Sequence, residues 1–271
     1  MIDDVRERDS RPRRKRRRIR HRHPVKRLLF TACMVLAIGG VFAWGTSSHV
    51  GQHHEIKTFA REHGLSLSDY PDSIISLFER NPETKEFVLH YPLEYGREHE
   101  VDLSDCRDFD GVPLFMQWDR RWGYLDYGDD VVGLTGCGPV SLAMAGYAVT
   151  KDGVTFRPDN VIKFAIENGY CVPGSGSSWT HISEGGERLG LDVVQIPLDK
   201  NRIIRNLEVG NPIICIMGPG TFTSSGHFIV LAAVEEGKFR INDPNSHKNS
   251  ERLWEYEEFQ DQIRNLWVVR D

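Results

Sequence analysis

Cys137 sits in the run Leu134-Thr-Gly-Cys-Gly-Pro-Val-Ser-Leu-Ala-Met144. A cysteine between two glycines, followed at once by Pro139 and an apolar run, reads as a thiol at the start of a helix. Pro139 suits the first turn, where a missing N–H costs nothing. Unpaired N–H groups and the positive end of the helix dipole favour the thiolate there. Gly136 and Gly138 leave room for the backbone of another molecule to approach. The competing reading of such a residue is a small buried hydrophobe that happens to open a helix.

A second set of residues lies ninety positions later. In Thr221-Phe-Thr-Ser-Ser-Gly-His-Phe-Ile-Val-Leu231 a Gly/Ser loop ends at Gly226 and meets a strand whose first residue is His227. Histidine at the mouth of a strand is rigidly held with one face open, which suits a general base. Gly226 joins Gly136 and Gly138 as a candidate substrate-facing position. The next strand closes with Ile241-Asn-Asp-Pro244, and Glu235-Glu-Gly237 predicts a tight hairpin between the two strands. The hairpin returns Asp243 to the neighbourhood of His227. There its carboxylate can take the imidazole N–H, set the tautomer and support the charged ring. By itself Asp243-Pro244 would read as a turn opener. Cys137, His227 and Asp243 then form a nucleophile, base and orienter for thiol chemistry. Upstream, the amide of Gln117 in Gln117-Trp-Asp-Arg-Arg-Trp122 could donate to an oxyanion together with the Cys137 backbone N–H. Alone, Gln117 would pass for a surface polar residue.

The elements that must position these groups follow from periodicity. Residues 54–63 predict a short helix ended by Gly64, and apolar residues at 74, 75, 77 and 78 predict another from Asp72 or Ser73 to Arg80. Residues 86–91 fit a helical turn or a short strand. From about residue 109 a mixed domain begins. Its predicted helices run from Cys137 to Val149, from Pro158 to Asn168, from Trp179 or Thr180 to Gly190, and from Lys200 to Val209. Its predicted strands are 191–196, 213–217, 227–234, 238–242 and 266–269. Helices first and strands later is an α+β order rather than the alternation of a parallel sheet.

The ends of the chain differ in charge. Residues 1–27 hold thirteen Lys and Arg against four acids, so the net −5 conceals an acidic remainder of about −14. Leu28 to Trp44 is uncharged for seventeen residues, near the lower limit for a membrane-spanning helix. The basic head would hold the N-terminus in the cytoplasm. The predicted organisation is a basic head (1–27), a transmembrane signal anchor (28–45), a small helical stalk or pro-like segment (46–108) and a catalytic domain (109–271) outside the membrane. Ala43-Trp44-Gly45 also allows cleavage of a signal peptide and secretion. The bilayer is the partner expected for residues 28–45. A nucleic-acid role for the head is the weaker reading, because it adjoins the span.

Five cysteines are present. Cys33 lies in the span, Cys215 reads as a core-strand residue, and Cys106 and Cys171 are left open, with no disulfide framework in the spacing. His49, His53, His54 and His63 lack acidic or cysteine partners at ligand spacing, so no metal is expected, and no organic cofactor is suggested.

Gln117-x-Asp119-x-x-Trp122-Gly123, Gly136-Cys137-Gly138-Pro139-x-Ser141-x-Ala143-Met144, Gly226-His227-Phe228-x-Val230 and Asn242-Asp243-Pro244 together resemble the family thirty-nine-like cysteine peptidases, over roughly residues 110–270. These are relatives of the bacteriocin-processing double-glycine leader peptidases. The resemblance implies a papain-like fold with a cleft between a helical half and an antiparallel sheet half. It implies Cys137 as nucleophile, His227 as base and Asp243 as orienter, and suggests Gln117 as oxyanion donor. In the leader peptidases that glutamine lies only a few residues before the cysteine, whereas twenty positions separate the two here. The chain does not show the transporter half to which those peptidases are joined, so a double-glycine leader is not implied as substrate.

The resulting expectation is a membrane-anchored, extracytoplasmic thiol hydrolase of a bacterial cell surface acting on a peptide or protein. An amidase or transpeptidase working on cell-wall peptides would use the same residues. A catalytically silent peptide-binding module would keep the fold without the reactive thiol. Substrate, cleavage specificity and oligomeric state are not written in the sequence.

Overall fold

The computed structural model describes residues 51–107 and 109–271. The head 1–27 and the expected span 28–45 lie outside the described residues, as do Cys33 and His49. Among the described residues no helix is long and apolar enough to cross a membrane.

Residues 51–62 form the first helix, α1, and the chain leaves it through Gly64 at φ 69°. Helix α2 (Asp72–Arg80) buries Ile74, Ile75, Leu77 and Phe78, the stripe expected from the spacing. Pro82 then opens a 3₁₀ turn capped by the Asn81 side chain, which accepts from Glu83 N–H. Residues 86–91 belong to a helix, α3 (Lys85–Glu94), and not to a strand. The three helices share a core with the domain that follows. Phe87 stacks on Tyr124 with centroids 4.5 Å apart, and the Tyr124 hydroxyl donates to the Phe87 carbonyl at 2.9 Å. The absent Cβ of Gly133 leaves space for the Phe87 ring. The segment thus packs against the domain that follows.

The larger part begins with a two-residue ladder, β1 (Asp126–Tyr127) with β2 (Asp130–Val131), and the short helix α4 (Val132–Thr135). Helix α5 (Cys137–Thr150) follows, then α6 (Pro158–Glu167) and a second small ladder, β3 (Cys171–Val172) with β4 (Gly176–Ser177). The helix expected from Trp179 to Gly190 is split into a 3₁₀ turn (Trp179–His181) and α7 (Ser183–Arg188). After β5 (Asp192–Gln195) and α8 (Lys200–Glu208) come β6 (Ile213–Met217), β7 (His227–Glu235) and β8 (Lys238–Asn242). The last elements are α9 (His247–Ser250), β9 (Leu253–Trp254) and β10 (Ile263–Arg270). Helix α9 and strand β9 were not expected from sequence, being too short to carry a period.

One six-stranded sheet runs in the order β5-β10-β6-β7-β8-β9 with every pairing antiparallel. The α+β expectation therefore holds. Helix α5 covers one face: Val140, Ala143 and Met144 share a core with Phe228, Val230 and Trp267. Helix α8 covers the other, where Ile203 and Leu207 meet Cys215, Ile229 and Ile241. A strand buried on both faces needs no polar alternation, which explains the unbroken run Ile213-Ile-Cys-Ile-Met217. Helix α5 is likewise buried from Gly138 to Tyr147. At Gly146 it meets α6's approach so closely that a Cβ would strike the Phe156 ring.

The β7–β8 hairpin decides the geometry of the site. Its turn uses Glu236 at φ 52° and Gly237 at φ 80° between the paired residues Glu235 and Lys238. Near the turn, Ala233 pairs with Arg240; further along, Leu231 pairs with Ile241 and Val230 with Asn242. Ala232 is thus an extra residue, a β-bulge. Because of it, the register continued one residue past Asn242, the end of β8, sets Asp243 opposite Ile229, on the same face of the ladder as His227. In the register set at the turn, Asp243 would come opposite Val230 and leave from the other face.

Candidate active site

Cys137 is the first residue of α5 and is partly exposed as a residue. No side chain caps this helix end, so the first N–H groups remain turned towards the space around the sulfur. Gly136 and Gly138 are needed here for packing. A Cβ at Gly136 would collide with the Val132 side chain, and one at Gly138 with the Ser177 side chain. Ser177 is itself held by the Tyr127 hydroxyl at 2.7 Å. Neither glycine lines the cavity at Cys137, so the open approach expected at both is filled by the protein's own side chains. Gly226 does line it.

His227, nearly fully buried, opens β7 and pairs with Met217. Its Nε2–H donates to Asp243 Oδ1 at 2.7 Å. The other ring nitrogen is left for the Cys137 thiol, and the two groups influence each other's ionisation. Burial pushes the Cys137 thiol up. The His227 hydrogen bond and charge, with the Phe228 backbone N–H, outweigh burial and hold it below the usual thiol range. Burial would push His227 down, but the charge and hydrogen bond of Asp243 and the contact with Cys137 hold it above the usual imidazole range. The two shifts describe one coupled pair, and both run towards the charged forms, thiolate on Cys137 and imidazolium on His227.

Asp243 is buried and fully engaged. Besides His227, Oδ1 accepts from Asn245 N–H at 2.9 Å, and Oδ2 accepts from Asn249 Nδ2 at 2.7 Å. Its own N–H donates to Ser250 Oγ at 2.9 Å. These three partners were missed by the sequence reading. They sit in Asn245-Ser-His-Lys-Asn-Ser250, whose one structural signal is Ser246 capping α9 through Asn249 N–H. The loop is in turn gripped by the N-terminal helices. Asn81 Nδ2 donates to the Asn245 carbonyl at 2.7 Å. The Glu83 carboxylate accepts from Ser246 Oγ at 3.1 Å, His247 N–H at 2.6 Å and Lys248 N–H at 3.3 Å.

Gln117 reaches the same cavity as Cys137 and His227 despite the long separation in sequence. Its backbone N–H donates to the Pro244 carbonyl at 2.7 Å, which ties it to the turn after Asp243. Its Nε2 donates one hydrogen to the Gly133 carbonyl at 2.9 Å, leaving a second amide hydrogen to give. The cavity has a volume of about 930 Å³ and continues between the 174–177 and 218–226 loops. Among the described residues no group of three or more His, Cys, Asp and Glu could hold a metal ion. His53 faces Glu79 at 2.8 Å instead, and His63 Nδ1–H donates to the Phe59 carbonyl. Cys106, Cys137, Cys171 and Cys215 are all unpaired thiols.

Three solved structures are similar to part of the chain. A C39-like peptidase from Bacillus anthracis is 15% identical, covering 60% of this chain and 98% of its own, with a TM-score of 0.39. The peptidase domain of Streptococcus ComA, a bifunctional ABC transporter involved in a quorum-sensing pathway, is 18% identical, with 59% and 98% covered and a TM-score of 0.39. The peptidase domain of Streptococcus mutans ComA, in complex with a small-molecule inhibitor, is 16% identical, with 59% and 99% covered and a TM-score of 0.37. No curated protein matches the chain. The model of the Peptidase_C39 like family matches residues 109–269, the stretch that carries Gln117, Cys137, His227 and Asp243. The chain therefore belongs to the Peptidase_C39 like family.

Proposed function

We propose that this protein is a cysteine peptidase of papain-like architecture, in which Cys137, His227 and Asp243 act as nucleophile, acid–base and orienter. The observation that carries the reading is the unbroken line from a helix-opening thiol through the imidazole to a buried, three-donor carboxylate. The Cys137 thiolate attacks the carbonyl carbon of a peptide bond, forming an S–C bond. The oxyanion accepts from the Cys137 N–H and the free hydrogen of Gln117 Nε2. His227 passes its proton to the leaving amine as the C–N bond breaks, then takes a proton from water, which attacks the thioester and frees the carboxylic product. Asp243, already satisfied by Asn245 and Asn249, keeps the ring in the tautomer that faces the sulfur. The basic head and the uncharged run before residue 45 support a signal anchor with the peptidase outside the cell.

The test is alkylation of Cys137 by iodoacetamide across pH in the full-length chain, alongside hydrolysis of a mixed peptide pool. The expected result is a thiol that ionises below an ordinary cysteine, with the advantage lost in His227→Ala and peptide hydrolysis lost in Cys137→Ala. A Cys137 that alkylates like a free thiol, with no peptide cut, overturns the reading.

A further inference from the structure

The charge of the cleft is unlike the charge of the chain. The protein is net acidic, yet the charged side chains lining the cavity, besides His227, are Arg80 and Arg264, and no Asp or Glu lines it. Each guanidinium is exposed and makes one bond to a backbone carbonyl: Arg80 Nε to Ser76 at 3.1 Å, Arg264 Nη1 to Asp261 at 3.2 Å. Neither enters an ion pair among the described residues, although Arg121, Arg157 and Arg240 all do.

Both arginines stand on fixed walls. Arg264, in β10, lies across the Gly218 backbone, and a Cβ on that glycine would strike the guanidinium. Arg80 closes α2, in the helical segment ahead of the family-matched residues. That segment is locked to the site by Asn81 on the Asn245 carbonyl and by the Glu83 carboxylate on Ser246, His247 and Lys248. The helices before residue 109 therefore supply one wall of the cleft and one of its two cations.

We infer that Arg80 and Arg264 select carboxylate-bearing peptides at this cleft. Two unneutralised cations with no opposing carboxylate lower the free energy of an anionic ligand and raise its local concentration. The exposed sites are screened by salt, so the preference is largest at low ionic strength. The inference names the substrate class of the proposed peptidase and rests on that reading for the cleavage step, but the attraction can be measured without cleavage.

The probe is the ratio of Cys137 alkylation rates by iodoacetate, an anion, and iodoacetamide, its neutral analogue, in the full-length chain. The neutral reagent reports thiolate and access; the ratio reports the field of the cleft. Arg80→Gln and Arg264→Gln should each lower the ratio about twofold, and the double variant about fourfold, with the effect shrinking in high salt. A ratio unchanged in the double variant overturns the inference. If instead the neutral reagent finds an ordinary thiol while the ratio still falls, the peptidase reading fails and the anion preference stands. Competing peptides then locate the carboxylate. Faster cleavage of amidated Glu peptides than of Gln peptides assigns a side-chain carboxylate. Faster cleavage of free-acid than of amidated Gln peptides assigns the C-terminus. Equal cleavage of all of them by the wild type overturns the selection.

Discussion

Removing the Glu83 carboxylate should loosen the loop that holds Asp243 without touching the cavity. Glu83 accepts from Ser246 Oγ, His247 N–H and Lys248 N–H at 3.1, 2.6 and 3.3 Å. Hydrogen bonds to a charged group contribute roughly 1.5–3 kcal/mol each when well made. Here one is short and two are long, and the carboxylate is only half-buried. Screening reduces the sum to about 2 kcal/mol. For a chain of this size, that corresponds to a fall in Tm of roughly 4–8 °C in Glu83→Ala. Glu83→Gln keeps one acceptor and should lose about half as much. The more informative readout is the pH dependence of Cys137 alkylation. Helix α9 carries Asn249, whose Nδ2 holds Asp243 Oδ2. A looser α9 leaves Asp243 less able to keep His227 charged, so the thiol should ionise at higher pH in Glu83→Ala. Thermal unfolding and an alkylation–pH profile on the same sample make the assay. A variant that melts like the wild type and alkylates along the same curve would refute this account of how the N-terminal helices support the site.

Two further outcomes are expected. In Gly146→Ala the new methyl meets the Phe156 ring, and overpacking of this kind costs about 1–3 kcal/mol; denaturant unfolding should show the loss, and Phe156→Leu in the same chain should recover part of it. His181 is fully buried with neither ring nitrogen partnered, and burial pushes it down to about 3. Between pH 6.5 and about 3 the unfolded chain therefore binds a proton that the folded chain refuses, and stability falls with pH at up to about 1.4 kcal/mol per unit. His181→Leu should flatten that acid limb in denaturant titrations at several pH values; an unchanged limb would show that His181 is not its source.

Much of the site was legible because it rests on local rules. Gly136 to Pro139 can open a helix, Glu236-Gly237 can close a hairpin, and a run such as 213–217 can only be buried. Asn249, Ser250 and Glu83 were not legible, because each acts through a single contact made across a loop and leaves no periodicity. The glycines beside Cys137 were identified as important but for the wrong neighbour. Glycine type reports a need for space, and only packing reveals that Val132 and Ser177 fill it.

The amino-acid sequence by itself determined the local starting points: a thiol at a helix N-terminus, a histidine at a strand mouth, and an aspartate returned by a tight turn. Whether His227 and Asp243 share a face was decided by the β-bulge at Ala232. Side chains alternate along a strand, so one extra residue turns Asp243 from the far face to the near one. Nothing in Ala232 announces this. It follows from fitting β7 against β6 on one side and β8 on the other, and that fit exists only in the folded sheet.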